Sequence, residues 1–139
     1  MTIDDIRPFL ETYHRGVVTT FRKNGAAQMS ILLSGFYRGA VVFVIRGNTA
    51  KLANLKRDPR CAVLNVKPDW SEYAVVEGTA EVHGWDNTDP EELRLMLRET
   101  YRACGGGEHP DWDEYDRVMR QERRAVVMVK PDHVYGLWR

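Results

Sequence analysis

The chain of 139 residues has the length of one domain, and its 43% hydrophobic and 29% charged residues are those of an ordinary globular protein. The formal net charge of zero gives no overall positive field for nucleic acid. No apolar run is long enough for a membrane-spanning helix. The two cysteines match no disulfide framework or metal spacing, and no signal peptide is visible, so we expect a cytoplasmic protein.

The first half of the sequence predicts a short helix followed by an antiparallel meander. Apolar residues at helical spacing predict a helix through about Tyr13. The β-branched run 16–22 is followed by Asn24-Gly25, a strong hairpin signal, and by a return strand over 27–35. A third strand is predicted over 40–46. Because tight turns join these strands, the pattern disfavours a parallel α/β fold.

The second half mixes helices with strands. Thr49 or Asn48 can cap a helix over 49–58, and Asp89-Pro90 is a helix start. The remaining predicted elements are strands over 61–66 and 73–83 (with a bulge at Gly78), helices over 89–103 and 110–122, and closing strands over 125–129 and 133–138. Together these elements predict a mainly β fold in a single domain over 1–139. The predicted fold is a split antiparallel barrel of six or seven strands with three or four inserted helices.

Charge is unevenly distributed along this neutral chain. The segment 46–60 contains five basic residues and one acidic residue, whereas the segment 86–116 contains ten acidic residues and three arginines. A local basic patch on a neutral protein fits a small anionic ligand better than a polyanion. The acidic segment fits solvated helix surfaces, because acidic residues favour the first turn of a helix.

The stretch 46–55 is the most informative one, because it joins a strand end to a helix start. Gly47 allows a turn, and unpaired N–H groups at a helix N-terminus favour phosphate. Thr49 can donate a hydroxyl hydrogen bond, and Lys51 and Arg46 can supply positive charge. The same residues are also compatible with a capped surface helix bearing solvated lysines, so the spacing leaves both interpretations open.

Three stretches carry a family resemblance in the same order. In 49–60 a lysine is followed by Asn-Leu and then by Arg-Asp-Pro-Arg, and the stretches 73–81 and 124–136 agree in spacing. This pattern resembles the pyridoxamine-5′-phosphate-oxidase-like split-barrel superfamily, in particular its short deazaflavin- or FMN-dependent oxidoreductases. The resemblance spans almost the whole chain.

The resemblance implies a homodimer with two cofactor sites at the subunit interface, each binding FMN or the deazaflavin F420. It also implies hydride transfer to or from a small organic substrate. Lys51 would contact the cofactor phosphate, and Thr49 stands where many relatives have an arginine, a change for which Arg46 would compensate. Asn54 and the turn around Gly47 would lie under the ring system.

Other residues are assigned through the same resemblance. Gln28 and Ser30 match a polar pair that borders the isoalloxazine ring, although Ala27 and Ile31 stand where many relatives have proline. Trp138 would stack on a ring or cover the partner's site, and packing in its own barrel is an equal alternative.

The cofactor carries the chemistry in such enzymes, so no catalytic nucleophile, acid–base pair or metal ligand is assigned. The alternative function is a non-catalytic protein that binds a flavin, deazaflavin or haem. An actual pyridoxine-phosphate oxidase is disfavoured because the tail lacks an arginine-rich substrate motif. The glycine run 105–107 predicts a helix end rather than a phosphate loop.

Overall fold

The computed structural model describes all residues from 1 to 139 and contains seven strands and four α-helices. A single π-helical turn, Arg102–Gly106, follows the third helix. No helix has the length and apolar character that crossing a membrane requires. The elements are α1 (Ile3–Thr12), β1 (Arg15–Phe21), β2 (Ala27–Leu33), β3 (Gly35–Tyr37), β4 (Ala40–Ile45), α2 (Ala50–Arg57), β5 (Arg60–Val66), β6 (Tyr73–His83), α3 (Pro90–Tyr101), α4 (Trp112–Gln121) and β7 (Ala125–Leu137).

All seven strands form one antiparallel sheet in the order β2-β1-β5-β6-β7-β4-β3. The two outermost strands are consecutive in the chain and separated only by Ser34, so the sheet curls until its edges meet there. Because β3 pairs only with Ala40–Val42, the end of β4 has no partner on that side. The split of the barrel therefore lies between β2 and the end of β4, which confirms the predicted split-barrel fold.

The main hydrophobic core fills the inside of this barrel with 18 buried residues. Alternation along β4 directs Phe43 inwards, where it is completely buried. Helix α1 covers the core beside the start of β1 with Phe9 and Leu10, and α2 covers it beside the end of β1 with Leu52 and Leu55. The short helices thus close the two ends of the barrel.

A second cluster of nine buried residues lies on the outer face of β4 and β7. Val42 and Val126 point outwards from these strands and pack against Leu93 and Leu97 of α3 and Met119 of α4. Strand β4 is therefore covered on both faces, which explains its continuous apolar sequence.

The predicted pair of closing strands, 125–129 and 133–138, is wrong, because β7 continues without a break over Ala125–Leu137. Pro131 lies where the β6–β7 register shifts between Glu77 and Gly78. A bulge tolerates a residue that lacks an N–H group. The bulge predicted at Gly78 is confirmed, since a Cβ atom there would lie 1.9 Å from the Lys130 carbonyl oxygen.

The three arginines of the acidic segment pair with four of its ten acidic residues. Asp116 of α4 accepts hydrogen bonds from Arg94 Nη1 at 3.1 Å and from Arg98 Nε at 2.9 Å, both on α3. Arg102 pairs with Glu99 and Glu108 in the same way. The ion pairs therefore tie the inserted helices to each other.

We expect Asp116→Asn to lower the free energy of unfolding by about 1–2 kcal/mol near neutral pH, because two guanidinium groups lose their shared carboxylate. Burial raises the pKa of Asp116, but hydrogen bonds from Arg98 and Arg94 outweigh burial and leave this pKa below its ordinary value. A lowered pKa stabilises the folded state above the unfolded-state value of about 3.9, and the stabilisation is lost as pH falls through the folded value.

The stability difference from wild type should therefore shrink below roughly pH 4. Urea unfolding at neutral and acidic pH measures it. Asp113→Asn, which alters an exposed residue of the same helix outside any ion pair, is the control. A difference that stays the same at both pH values would contradict this account.

Candidate functional site

Helix α2 is joined to the hairpin β1–β2 by polar side chains. Lys51 Nζ donates a hydrogen bond to Ser30 Oγ at 3.2 Å. Asn54 Nδ2 donates to Gln28 Oε1 at 2.7 Å and to Thr20 Oγ1 at 3.1 Å. We call Gln28, Ser30, Lys51 and Asn54 the polar bridge. The structure thus brings together four of the residues that the sequence singled out.

The local sequence explains why α2 presents these groups to β2. Thr49 caps the helix by accepting from the Leu52 N–H group at 3.4 Å. Leu52 and Leu55 are buried in the barrel core. Lys51 and Asn54 are three positions apart and therefore lie on one face of the helix, which is turned towards the hairpin.

Lys51 is a cation without a counter-ion. Its ammonium group is half-buried and contacts only the Ser30 hydroxyl, with no carboxylate at ion-pair distance. By contrast, Lys56 on the same helix lies 3.3 Å from a carboxylate oxygen of Asp86. A partly desolvated, uncompensated ammonium group is a site at which an anion gains electrostatic energy.

Three of the predicted residues have other partners. The Thr49 hydroxyl donates to the Arg46 carbonyl oxygen at 3.1 Å, so its only hydrogen is used within the cap. Arg46 lies 3.0 Å from Glu122 in an ion pair. Gly47 packs against Arg123, where a Cβ atom would lie 2.6 Å from the Arg123 carbonyl oxygen. Arg46 and Gly47 thus line a polar hollow of about 260 Å³ beside the start of β7.

Trp138 lies far from the polar bridge within its own chain. It is half-buried and packs against the barrel core. Its neighbour Leu137 pairs with Tyr73, whereas Arg60, which follows α2, pairs with Thr79. Tyr73 and Thr79 are six positions apart on β6, a separation of about 20 Å at ~3.3 Å per residue. Within its own chain Trp138 therefore packs in the barrel, and its role at a ring or at the partner's site stays a prediction.

The split of the barrel contains a largely apolar cavity of about 340 Å³ that the sequence did not indicate. We call it the split cleft. Leu32 and Val44 line it from opposite sides of the split, and Leu32 lies two positions after Ser30 on the same face of β2. The helical side is formed by Thr100, Tyr101, Cys104, Gly106, Tyr115, Met119 and Arg124.

The ionisable groups of the split cleft are held in uncharged or paired forms. Burial raises the pKa of Cys104 to about 12, and its thiol contacts the Val42 carbonyl oxygen at 3.5 Å. Burial also raises the pKa of Tyr115, whose hydroxyl donates to the Leu97 carbonyl oxygen at 2.8 Å. Arg124 pairs with Glu122 at 3.1 Å. The cleft therefore provides apolar surface rather than a nucleophile or a general base.

The polar bridge and the split cleft together suit one kind of ligand. The cleft has the volume of a small-molecule site and apolar walls on which a flat ring can pack. The polar bridge adds an unpaired ammonium group at Ser30, two positions before the cleft residue Leu32 on β2. These residues fit a planar molecule that carries an anionic group such as phosphate. The alternation of side chains along β2 explains why Ser30 and Leu32 lie on the same face of the strand. No signal in the sequence predicts that the residues of α3 and α4 line the split cleft.

The fold and this arrangement define a split β-barrel with a largely apolar cleft at its split. A sequence model of the family described as pyridoxamine 5′-phosphate oxidase matches residues 2–138. The chain belongs to this family, as the resemblance predicted.

Solved structures support the fold at low sequence identity. The conserved hypothetical protein Rv2991 of Mycobacterium tuberculosis superposes with a TM-score of 0.76 at 19% identity, over 98% of this chain and 84% of that one. An F420 reductase superposes with a TM-score of 0.67 at 20% identity, over 93% of this chain and 94% of that one. A pyridoxamine 5′-phosphate oxidase-related, FMN-binding protein of Nostoc punctiforme superposes with a TM-score of 0.67 at 14% identity, over 96% of this chain and 79% of that one. These similarities establish the fold alone.

We expect Asn54→Ala to lower the free energy of unfolding by about 1–3 kcal/mol, because the buried Thr20 hydroxyl and the Gln28 amide oxygen lose their donor. Thermal or urea unfolding measures the change. Asn48→Ala, at an exposed position just before the same helix, is the matched control and should be nearly neutral. Equal stability of the two variants would show that the polar bridge does not hold α2 in place.

Proposed function

We propose that this protein binds FMN or F420 at the split of the barrel and uses it for hydride transfer to or from a small organic substrate. The observation that carries the proposal is the unpaired ammonium group of Lys51 beside an apolar cleft. The F420 reductase and the FMN-binding protein of the same fold support this class of ligand. Both cofactors combine a flat tricyclic ring with a ribityl phosphate.

The phosphate would be bound at the start of α2. Lys51 supplies the positive charge, and the N–H groups of the first turn add the positive end of the helix dipole. Thr49 has a supporting role, because its cap fixes the first turn from which Lys51 extends. Arg46 is held by Glu122 at the C-terminal end of α4 and adds a more distant positive charge.

The ring would be bound in the split cleft. Leu32, Val44 and Met119 offer apolar contact, and Gln28 and Ser30 form the polar border. The bound cofactor supplies the hydride chemistry, while the protein positions it and excludes water. With the Cys104 thiol neutral, nothing in the cleft competes as a nucleophile.

We also propose a homodimer, because the outer face of the sheet exposes an apolar surface. Ile31 is 85% exposed, and its row continues across five strands through the half-buried Val17 and Leu64, the buried Val75 and the 42% exposed Tyr135. Large exposed apolar patches typically mark interaction sites. A second copy on this face would lie beside β2 and hence beside the polar bridge, as expected for sites near the interface.

We expect Lys51→Ala to weaken binding of FMN or F420 by about 1.5–3 kcal/mol, or roughly tenfold to 150-fold, since a charge-assisted bond to phosphate is lost. Titration of the purified protein with each cofactor, followed by absorbance, measures the affinity. Lys56→Ala on the same helix is the control and should bind as the wild type does. Equal affinity of the Lys51 variant and the wild type would remove Lys51 from the site.

The redox function is tested by hydride transfer from the reduced cofactor to candidate acceptors. Turnover by the loaded wild-type protein that is reduced in the Lys51 variant supports the enzyme. Tight binding without turnover on any acceptor would instead support a cofactor-binding protein without catalytic activity. Absence of binding for both cofactors would overturn the proposal.

We expect Ile31→Asp to convert the dimer to a monomer, because a carboxylate in the centre of an apolar interface is desolvated without a partner. Size-exclusion chromatography with light scattering measures the mass. Leu95→Asp is the matched control, since Leu95 is 49% exposed but lies on α3, away from this face. A monomeric wild type, or a dimer that survives Ile31→Asp, would contradict the proposed interface.

A further inference from the structure

A small polar cavity of about 110 Å³ lies beside α2, on a different side of the helix from the polar bridge. We call it the α2 pocket. Leu52 and Lys56 are four positions apart and line it together, whereas Lys51 and Asn54 face the hairpin. The rest of the lining belongs neither to the split cleft nor to the proposed dimer face, and it consists of Gly47, Val82, Gly84, Trp85, Asp86, Arg123 and Ala125.

Trp85 contributes a buried hydrogen-bond donor to the lining of this pocket. Its indole nitrogen Nε1 is shielded from solvent, and no group of the chain accepts its hydrogen. A buried donor that stays unpaired costs free energy, and an acceptor supplied by a ligand removes that cost. The Arg120 guanidinium group lies over the indole ring, 5.1 Å from its centre, and helps to hold the ring in this orientation.

Arg123 supplies the free charge of the α2 pocket. Its guanidinium group has no carboxylate at ion-pair distance and makes no hydrogen bond to the chain. Lys56 and Asp86, the other charged residues of the pocket, are paired with each other at 3.3 Å. Two cations and one carboxylate leave one net positive charge, which attracts an anion. The open groove between α3 and α4, which Trp85 also lines, suits an anion less, because it contains four carboxylates and three arginines.

The backbone of Arg123 adopts a conformation in which glycine is the usual residue. Arg123 follows the end of α4 with a φ of +51°, in the left-handed region. Its N–H group donates to the Arg120 carbonyl oxygen at 3.1 Å, and the Arg124 N–H group donates to the Met119 carbonyl oxygen at 2.9 Å, which is a Schellman motif. Glycine favours this position because it has no Cβ atom. An arginine that is kept there at a conformational cost points to a use of its side chain.

We propose that the α2 pocket binds a small oxyanion, either inorganic phosphate or the phosphate group of a phosphorylated metabolite. About 110 Å³ is the volume of three to four water molecules at ~30 Å³ each, so the pocket has room for one such group but not for an organic ring. A phosphate has enough oxygens to accept two hydrogen bonds from the Arg123 guanidinium group and one from the Trp85 indole at the same time.

The surroundings of the pocket leave room for either source of the phosphate. The polar hollow of about 260 Å³ that Arg46 and Gly47 line also borders Arg123, and it can hold the sugar of a phosphorylated metabolite. Free phosphate would occupy the α2 pocket alone. This site goes beyond the proposed redox function and does not require the cofactor.

The test titrates the wild-type protein, without added cofactor, with inorganic phosphate and with ribose 5-phosphate at constant ionic strength. The indole N–H signal of Trp85 is followed by NMR and is identified by its loss in Trp85→Phe. We expect at least one of the two ligands to shift this signal saturably, while sodium chloride at the same ionic strength leaves it unchanged. Tighter binding of ribose 5-phosphate would identify a phosphorylated metabolite as the ligand class, and equal or weaker binding would identify free phosphate.

Arg123→Gln should weaken binding at least about tenfold, because a charge-assisted hydrogen bond is lost. Arg117→Gln is the matched control and should bind as the wild type does, since Arg117 is an arginine of α4 that pairs with Glu114 and does not line the pocket. The proposal is overturned if neither ligand shifts the Trp85 signal saturably, or if Arg123→Gln binds as the wild type does. A response that Lys51→Ala abolishes and Arg123→Gln leaves intact would also overturn it, because the ion would then occupy the proposed cofactor site.

Discussion

The amide side chain of Asn54 joins the short helix α2 to the first two strands of the barrel. Its nitrogen donates to Thr20 and Gln28, and its oxygen accepts from Arg57 at 2.9 Å, so a side chain that is only 6% exposed has every polar atom satisfied. A buried amide that is fully paired fixes one arrangement, because any shift leaves a polar atom unpaired. The position of Lys51 beside Ser30 follows from this contact one helical turn away.

The inserted helices α3 and α4 give the split cleft its second wall. Rings of Tyr101, Trp112 and Tyr115 lie 5.2–5.6 Å apart between their centres in edge-to-face arrangements, and Arg98 and Arg102 stack on Trp112. Such contacts add to the ion pairs that bridge the two helices. The inserted helices therefore form a wall that these contacts hold together. Eight of the ten acidic residues of 86–116 are exposed, as expected for solvated helix surfaces.

Local signals in the sequence were sufficient to predict most of the helices and strands and part of the candidate site. The hairpin at Asn24-Gly25 and the helix start at Pro90 depend on neighbouring residues, and the structure has both. The cleft depends on the approach of distant segments, such as β2 at Leu32 and the end of α3, which both line it and which no local pattern brings together. The ion pair of Arg46 could not be predicted for the same reason, because its partner Glu122 lies in a distant part of the chain. Pro131 misled the strand prediction, since only the register of β6 shows that a bulge accommodates it.

Because β2 lies at the edge of the sheet, its two faces have different surroundings. Gln28 and Ser30 point towards α2, while Met29 and Ile31 point outwards, where they are 65% and 85% exposed. Because side chains alternate with a period of two, a register slip of one residue would turn Ile31 towards Lys51 and Ser30 towards the outer face. The tight β1–β2 turn at 23–25, closed by the hydrogen bond from Arg22 N–H to the Ala26 carbonyl oxygen, fixes this register, and Gly25, with a φ of +85°, adopts the conformation that the turn requires. This turn, far from the cleft, thus determines which residues of β2 face Lys51 and which face outwards.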